Sequence, residues 1–425
     1  MDRRYFLKSS GIALASFGMM SVAPTFLHQF ANAATGNNIF GKKKVLITIF
    51  QRGAVDGLNM VAPFGDSEYY NLRRTIAVPR PNRGDGGAID LDGYFGLNPA
   101  LEPLEKFWKS KQLAVIHSAG SPDNTRSHFD AQDYMESATP GIKSTRDGWL
   151  NRVLQTKTDK KISPFRAVAM AGQVPRSLMG RASTVAMTEL SDFAIKAGVY
   201  TNAVKGGFED IWQEKANDSL GEMGKETFEA VNFLKEANPS QYRPENGAVY
   251  PNTPFGRSLL QIAQLVKAGV GLEIAFTDTP GLNWDTHANQ AAGSGSRGQL
   301  ANLLRIFGQG IAALAADLGK QMDDVVILTM SEFGRTARQN GTNGTDHGHG
   351  NAMLILGSAV KGGKVYADWK GLKSSELYEG RDLAVTTDFR DVFAELTSKH
   401  LGNKNLDKVF PGYTARAANF RGILS

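Results

Sequence analysis

Asp324-Val325-Val326-Ile327-Leu328-Thr329, followed after Met330 by Ser331-Glu332-Phe333-Gly334-Arg335-Thr336, decides how this chain folds. Residues 325–328 are aliphatic without polar alternation, so the segment reads as a strand buried on both faces. A carboxylate, Glu332, stands just past its carboxyl end. The same grammar recurs along the chain. The run at 44–50 is followed by Arg52-Gly53-Ala54-Val55-Asp56-Gly57-Leu58-Asn59. The run at 112–117 leads to Ser127-His128-Phe129-Asp130, and the run at 271–277 to Asn283-Trp284-Asp285-Thr286-His287. A further run, 352–356, comes after Thr345-Asp346-His347-Gly348-His349-Gly350.

Between these runs the apolar spacing turns helical: 99–109, 126–136, 256–268, 297–318 and 388–400. Thr253-Pro254 supplies an N-cap and first-turn proline, and Thr387 an N-cap for the last helix. Alternating buried strands and amphipathic helices predict an α/β fold: a mostly parallel central sheet with helices on both faces. Residues 65–99, rich in Gly, Pro, Asn and Asp, read as a long surface excursion. Residues 140–250 read as an insertion or subdomain beside the main sheet, with a helix-like stretch near 207–235. The remainder of 34–425 reads as one domain.

The N-terminus carries an address. Asp2-Arg3-Arg4-Tyr5-Phe6-Leu7-Lys8 has a twin arginine, a weakly apolar stretch follows, and Ala31-Asn32-Ala33 offers a small-x-small cleavage site. Residues 1–33 therefore read as a twin-arginine export signal. The translocase of that route is an expected partner, and the expected location is periplasmic or otherwise exported. No later stretch approaches the ~20 apolar residues of a membrane span. The formal charge is +6, of which Arg3, Arg4 and Lys8 against Asp2 supply two. No basic run exceeds Lys42-Lys43-Lys44, so a nucleic-acid partner is not expected. The absence of Cys removes disulfides, thiolate nucleophiles and thiolate metal sites.

The chemistry lies in the histidines. Four of seven, His128, His287, His347 and His349, sit beside carboxylates in short polar clusters. Ligands in an α/β sheet gather at the carboxyl ends of strands, where Asp56, Asp285, His287 and Glu332 are expected. Carboxylate and neutral imidazole bind divalent transition ions. The expected cofactor is one or two such ions, Zn or Mn, held by Asp56, Asp285, His287, Glu332, Asp346, His347 and His349. The glycines at 348 and 350 would let the backbone approach the ion. Ser127 opens the helix after the second strand, a setting that suits attack on a phosphate or sulfate anion. Thr125 competes for that role, and either hydroxyl could simply cap the helix. Arg52, Arg126 and Arg335 are candidate anion clamps.

Together, the segments 52–59, 127–132, 284–287, 331–336 and 346–350 resemble the exported bacterial family known as domain of unknown function 1501. More distantly, they are similar to the alkaline-phosphatase-like superfamily of phosphatases, sulfatases and phosphomutases. That resemblance implies Asp56 as a first-strand metal ligand and Ser127 as nucleophile. It implies Asp285 and His287 as an Asp/His pair, and His347 or His349 as the last histidine. Ser331-Glu332-Phe333-Gly334 stands where the superfamily has Ser-Asp-His-Gly. Phe333 thus replaces an expected ligand, and His128 or the extra histidine of the 347/349 pair could substitute. The implied activity is metal-dependent hydrolysis of phosphate or sulfate esters in a small molecule or glycan. The alternative is a non-catalytic binding or assembly protein that keeps a degenerate metal site.

Overall fold

A computed structural model describes residues 42–82, 86–157, 162–163, 165–190 and 242–425. The readings of 1–33 as an export signal and of 207–235 as a helix lie outside the described residues. The strands are β1 (Val45–Phe50), β2 (Val61–Ala62), β3 (Ile89–Asp90), β4 (Gly96–Leu97), β5 (Leu113–Gly120), β6 (Ala167–Met170), β7 (Val185–Met187), β8 (Ile274–Asp278), β9 (Val325–Met330), β10 (Asn351–Leu356), β11 (Lys364–Tyr366) and β12 (Thr387–Asp388). Nine form one sheet in the order β11-β5-β10-β9-β1-β8-β6-β7, with β12 paired to β5. The pairs β1–β8, β1–β9, β6–β7, β6–β8, β5–β11 and β5–β12 are parallel. Only β10 runs against its neighbours β5 and β9.

Side-chain alternation along β1 splits the core between the two faces. Val45, Ile47 and Ile49 pack with Phe255, Leu259 and Ile262 of one helix, Pro254–Lys267, and with Leu304, Phe307 and Ile311 of another, Gln299–Leu318. Leu46 and Phe50 face Trp149 and Val153 of helix Trp149–Gln155, and Phe389 and Phe393 of helix Phe389–Glu395. The Trp149 and Phe393 rings stack at 4.4 Å between centroids. Each fully buried large apolar side chain contributes roughly 1.5–3 kcal/mol, so the strand runs are held from both sides. The expected mostly parallel sheet with helices on both faces is what the chain forms.

Three details depart from the sequence reading. The described residues of 65–99 are not a surface excursion, because Tyr69, Leu72, Ile76 and Val78 are buried and β3 and β4 join β2 in a small second sheet. Residues 149–187 supply a covering helix and two strands of the main sheet. β6 and β7 are four and three residues long, too short for periodicity to reveal. At the last helix the cap is Asp388, which accepts from Arg390 N at 2.9 Å, while Thr387 pairs with Ala119 in the sheet. Thr253 caps as expected, accepting from Gly256 N at 3.1 Å. Among the described residues no helix is long and apolar enough to cross a membrane.

Two histidines belong to this core. His117 Nε2 donates to Val61 O at 3.1 Å while its Nδ1 accepts from Ser118 N at 2.9 Å, which fixes the neutral ring. His400 Nε2 donates to Val45 O at 2.9 Å. Burial pushes both rings down to about 4 from 6.5. The unfolded chain therefore binds protons that the folded chain refuses. Stability is complete above about pH 6.5, falls as the pH drops, and levels off below about pH 4, by up to roughly 3 kcal/mol per ring. Urea unfolding at pH 7 and pH 5 should show this loss, and His400→Gln should make it shallower. An unchanged pH dependence in that variant would refute the assignment.

Candidate metal centre

The reversed strand β10 explains how distant segments meet. Its amino end lies beside the carboxyl ends of β5 and β9, with Asn351 opposite Ala119. The loop before it, 345–350, therefore faces the loops that follow β1, β5, β8 and β9. Residues 334–336 and 346–349 pair along their backbones: Gly334 N donates to His349 O at 2.9 Å, and Gly348 N to Gly334 O at 2.9 Å. A Cβ at Gly334 would lie 1.8 Å from Gly350 O, and one at Gly348 2.4 Å from the Arg335 carbonyl carbon. The glycines thus serve close approach of chain to chain, where the sequence suggested approach to an ion.

Three imidazoles and a carboxylate converge at this edge. His347 Nε2 lies 3.0 Å from His128 Nε2, 2.9 Å from His287 Nε2 and 3.3 Å from Asp285 Oδ1. Asp285 Oδ1 is also 3.1 Å from His287 Nε2 and 3.6 Å from His128 Nε2. His128, Asp285 and His347 bring three ligand atoms within 4.8 Å of one another, and His287 adds a fourth from the solvent side.

The opposite nitrogen of each ring is tied to an acceptor. His128 Nδ1 donates to Glu332 Oε1 at 2.8 Å, His347 Nδ1 to Arg126 O at 2.9 Å, and His287 Nδ1 to Asp346 Oδ1 at 3.2 Å. Carboxylates and carbonyls only accept, so each Nδ1 carries the proton. When neutral, each ring then turns its Nε2 lone pair toward the neighbouring rings and Asp285. This is the arrangement in which outer hydrogen bonds fix the tautomer of a metal-ligating histidine. Ligand bonds of about 2.0–2.2 Å in a tetrahedron give edges of roughly 3.3–3.6 Å, and Asp285 Oδ1 stands at 3.3 Å from His347 Nε2 and 3.6 Å from His128 Nε2. The donor set fits a divalent ion that prefers nitrogen and oxygen.

Charge supports the same geometry. Arg335, 1% exposed, donates to Asp285 Oδ1 at 2.5 Å and to the carbonyls of Ala54, Gly53, Thr345 and Trp284. Burial opposes ionisation of Asp285, but the Arg335 guanidinium holds it below the usual carboxylate range. The hydrogen bond to Glu332 raises His128, whereas burial and then the neighbouring His128 lower His347.

The other predicted residues have different places. Glu332, fully buried, stands behind His128 and also accepts from Gly53 N and Gln132 Nε2 at 2.8 and 2.9 Å. Asp346 stands behind His287. His349 turns aside: its Nε2 donates to Ser121 O at 2.9 Å and its ring packs on Tyr378. Asp56 lies apart from the cluster, its Oδ2 accepting from Arg73 and Gln290, both at 2.6 Å, with Asp56 and Arg73 fully buried. Ser127 N-caps helix His128–Ser137, accepting from Asp130 N at 3.4 Å, and Thr125 accepts from Ser127 N at 3.2 Å.

The arginines are occupied as well. Arg52 binds Asp278, Gln132 and Glu136, Arg126 binds Asp382 and Glu379, and Arg335 is enclosed as described. Phe333 packs its ring against His128 and His347, at 4.9 and 5.1 Å between centroids. His128, which the sequence offered only as a substitute, sits at the centre. Its signal was its position at the start of a helix facing the Phe333 gap.

A family model described as "Protein of unknown function (DUF1501)" matches residues 103–409. No curated protein matches the chain. One similar solved structure is the C-terminal periplasmic domain of EcEptC from Escherichia coli in complex with Zn. It is 10% identical, with a TM-score of 0.33, over 76% of this chain and 75% of that chain. Another is the PsFucS1 sulfatase from Pseudoalteromonas sp., 12% identical with a TM-score of 0.37, over 93% of this chain and 72% of that chain.

The two buried arrangements should separate on mutation. Asp56→Ala leaves the Arg73 guanidinium uncompensated and should cost about 3–5 kcal/mol in chemical denaturation, with the metal content per folded chain unchanged. His347→Ala should do the reverse, binding metal measurably more weakly while the unfolding midpoint of the metal-free protein moves little. Loss of metal in folded Asp56→Ala would overturn this division.

Proposed function

This chain belongs to the DUF1501 family, and we propose that it is an exported metal-dependent hydrolase of phosphate or sulfate esters. The observation that carries the reading is the convergence of three Nε2 lone pairs and Asp285 Oδ1, with every Nδ1 tied from behind. His128, His287, His347 and Asp285 would hold a divalent ion, Zn or Mn, which supplies Lewis acidity when bound. Glu332, Asp346 and the Arg126 carbonyl fix the three rings, and Arg335 keeps Asp285 ionised. His128 is also the first residue of helix His128–Ser137. Ser127 takes the Asp130 N–H, and the N–H groups of His128 and Phe129 with the positive dipole end favour an anionic group beside the cluster. Ser127 is the proposed attacking hydroxyl, with Thr125 the competitor. The substrate would be a small-molecule or glycan ester, met outside the cytoplasm after export through the twin-arginine translocase.

One observation favours the second reading, a non-catalytic binding or assembly protein that keeps a degenerate metal site. Arg52, Arg126 and Arg335 are all committed to protein partners, so none of the three is free to clamp an oxyanion.

Metal analysis of the purified mature protein should find about one divalent ion per chain, and His128→Ala with His347→Ala should remove it. Aryl phosphate or aryl sulfate turnover should disappear with the metal and fall sharply in Ser127→Ala. Stable metal without turnover on either ester would select the second reading. A wild type with no metal would sink both. Arg3→Lys with Arg4→Lys should hold the precursor in the cytoplasm, scored by cell fractionation.

A further inference from the structure

We propose that Asp382 is a positioning residue for the metal centre, acting on His347 through Arg126 and Arg381; this rests on the metal-centre reading above. Asp382 has a fully buried side chain. Its Oδ2 accepts from Arg126 Nε at 3.1 Å, Arg126 Nη2 at 2.7 Å and Arg381 Nη1 at 3.2 Å. Both arginines then reach His347 from different sides. The Arg126 carbonyl accepts from His347 Nδ1 at 2.9 Å. Arg381 Nη2 donates to the His347 carbonyl at 2.9 Å. One buried carboxylate therefore anchors the acceptor that sets the ring's tautomer and the donor that fixes its main chain.

The backbone ties Asp382 to the same region. It bridges Thr336, whose N–H donates to Asp346 O at 2.9 Å. Outer partners of this kind hold a ligand's lone pair on the ion, and their loss weakens metal binding without touching a ligand. Glu379 also meets Arg126, at 2.8 Å, but its side chain is 51% exposed. Exposed ion pairs contribute little, so Asp382 carries the anchoring. Asp382 Oδ1 is buried without a hydrogen-bond partner. Asn can therefore keep an acceptor toward the arginines while removing the charge.

The test is titration of the metal-free mature protein with Co(II) and with Zn, following the Co(II) visible spectrum. Asp382→Asn should bind both ions about 10-fold or more weaker, with an altered Co(II) band. Glu379→Gln should bind within twofold of wild type. In a His347→Ala background, Asp382→Asn should add no further loss, because the two changes act through one ligand. If Asp382→Asn does not fold, Arg381→Gln removes the bond to the His347 carbonyl from a 41% exposed side chain and should weaken binding in the same direction. Wild-type affinity and spectrum in the folded variant, or an equal loss with and without His347, would overturn the proposal alone. A wild type that binds neither ion overturns the metal centre and this inference with it.

Discussion

Two neutral imidazoles cannot rest with their lone pairs 3 Å apart unless something positive lies between them. At this centre the condition is imposed twice, since His347 Nε2 faces both His128 Nε2 and His287 Nε2. The escape available to most histidine pairs, a change of tautomer, is closed by three outer acceptors that take the Nδ1 protons. A single proton can relieve only one such contact at a time. A divalent ion relieves all of them and matches Asp285 as well. Metal binding would then displace protons from the cluster, so affinity must fall as the pH is lowered.

That convergence depends on one strand running the wrong way. Were β10 parallel to β5 and β9, the segment before it would lie at the opposite edge of the sheet, far from Asp285 and His128. Reversal alone is insufficient, because the 334–336 and 346–349 segments must also lie against each other. Side chains at Gly334 or Gly348 would collide with main-chain atoms there. Arg335 then stitches the loops together by binding carbonyls from 53–54, 284 and 345. The guanidinium suits this because it offers five donors in a rigid plane.

The sequence was legible where a residue's neighbourhood is local. Continuous aliphatic runs marked β1, β5, β8, β9 and β10, and the groups just beyond them marked the edge where Asp285, His287 and His347 meet. What sequence could not carry is side-chain direction and long-range pairing. His347 and His349 look equivalent in a Gly-rich loop, yet one donates to Arg126 O and the other to Ser121 O, five positions apart in a different loop. Asp56 stands past the end of β1 as a ligand would. Its partner Arg73 lies in a stretch whose polar composition masked a buried apolar cluster. Glu332 and Asp346 were found as residues of the centre, but their place behind the rings follows only from geometry.

The arginines turn the same point into a constraint on chemistry. A carboxylate-rich edge needs cations to stay folded, and Arg52, Arg73, Arg126 and Arg335 each neutralise a carboxylate within it. Arg73 and Arg335, whose side chains are fully buried, cannot swing to a substrate without leaving an acid uncompensated, a cost of several kcal/mol for a pair buried on both sides such as Arg73–Asp56. In the proposed reaction an oxyanion therefore meets main-chain N–H groups at the start of helix His128–Ser137 and the charge of the centre itself. Recognition of that kind depends on the ion being present. An ester would be held in place by the same group that activates it, and metal-free protein would be expected to lose substrate binding together with turnover.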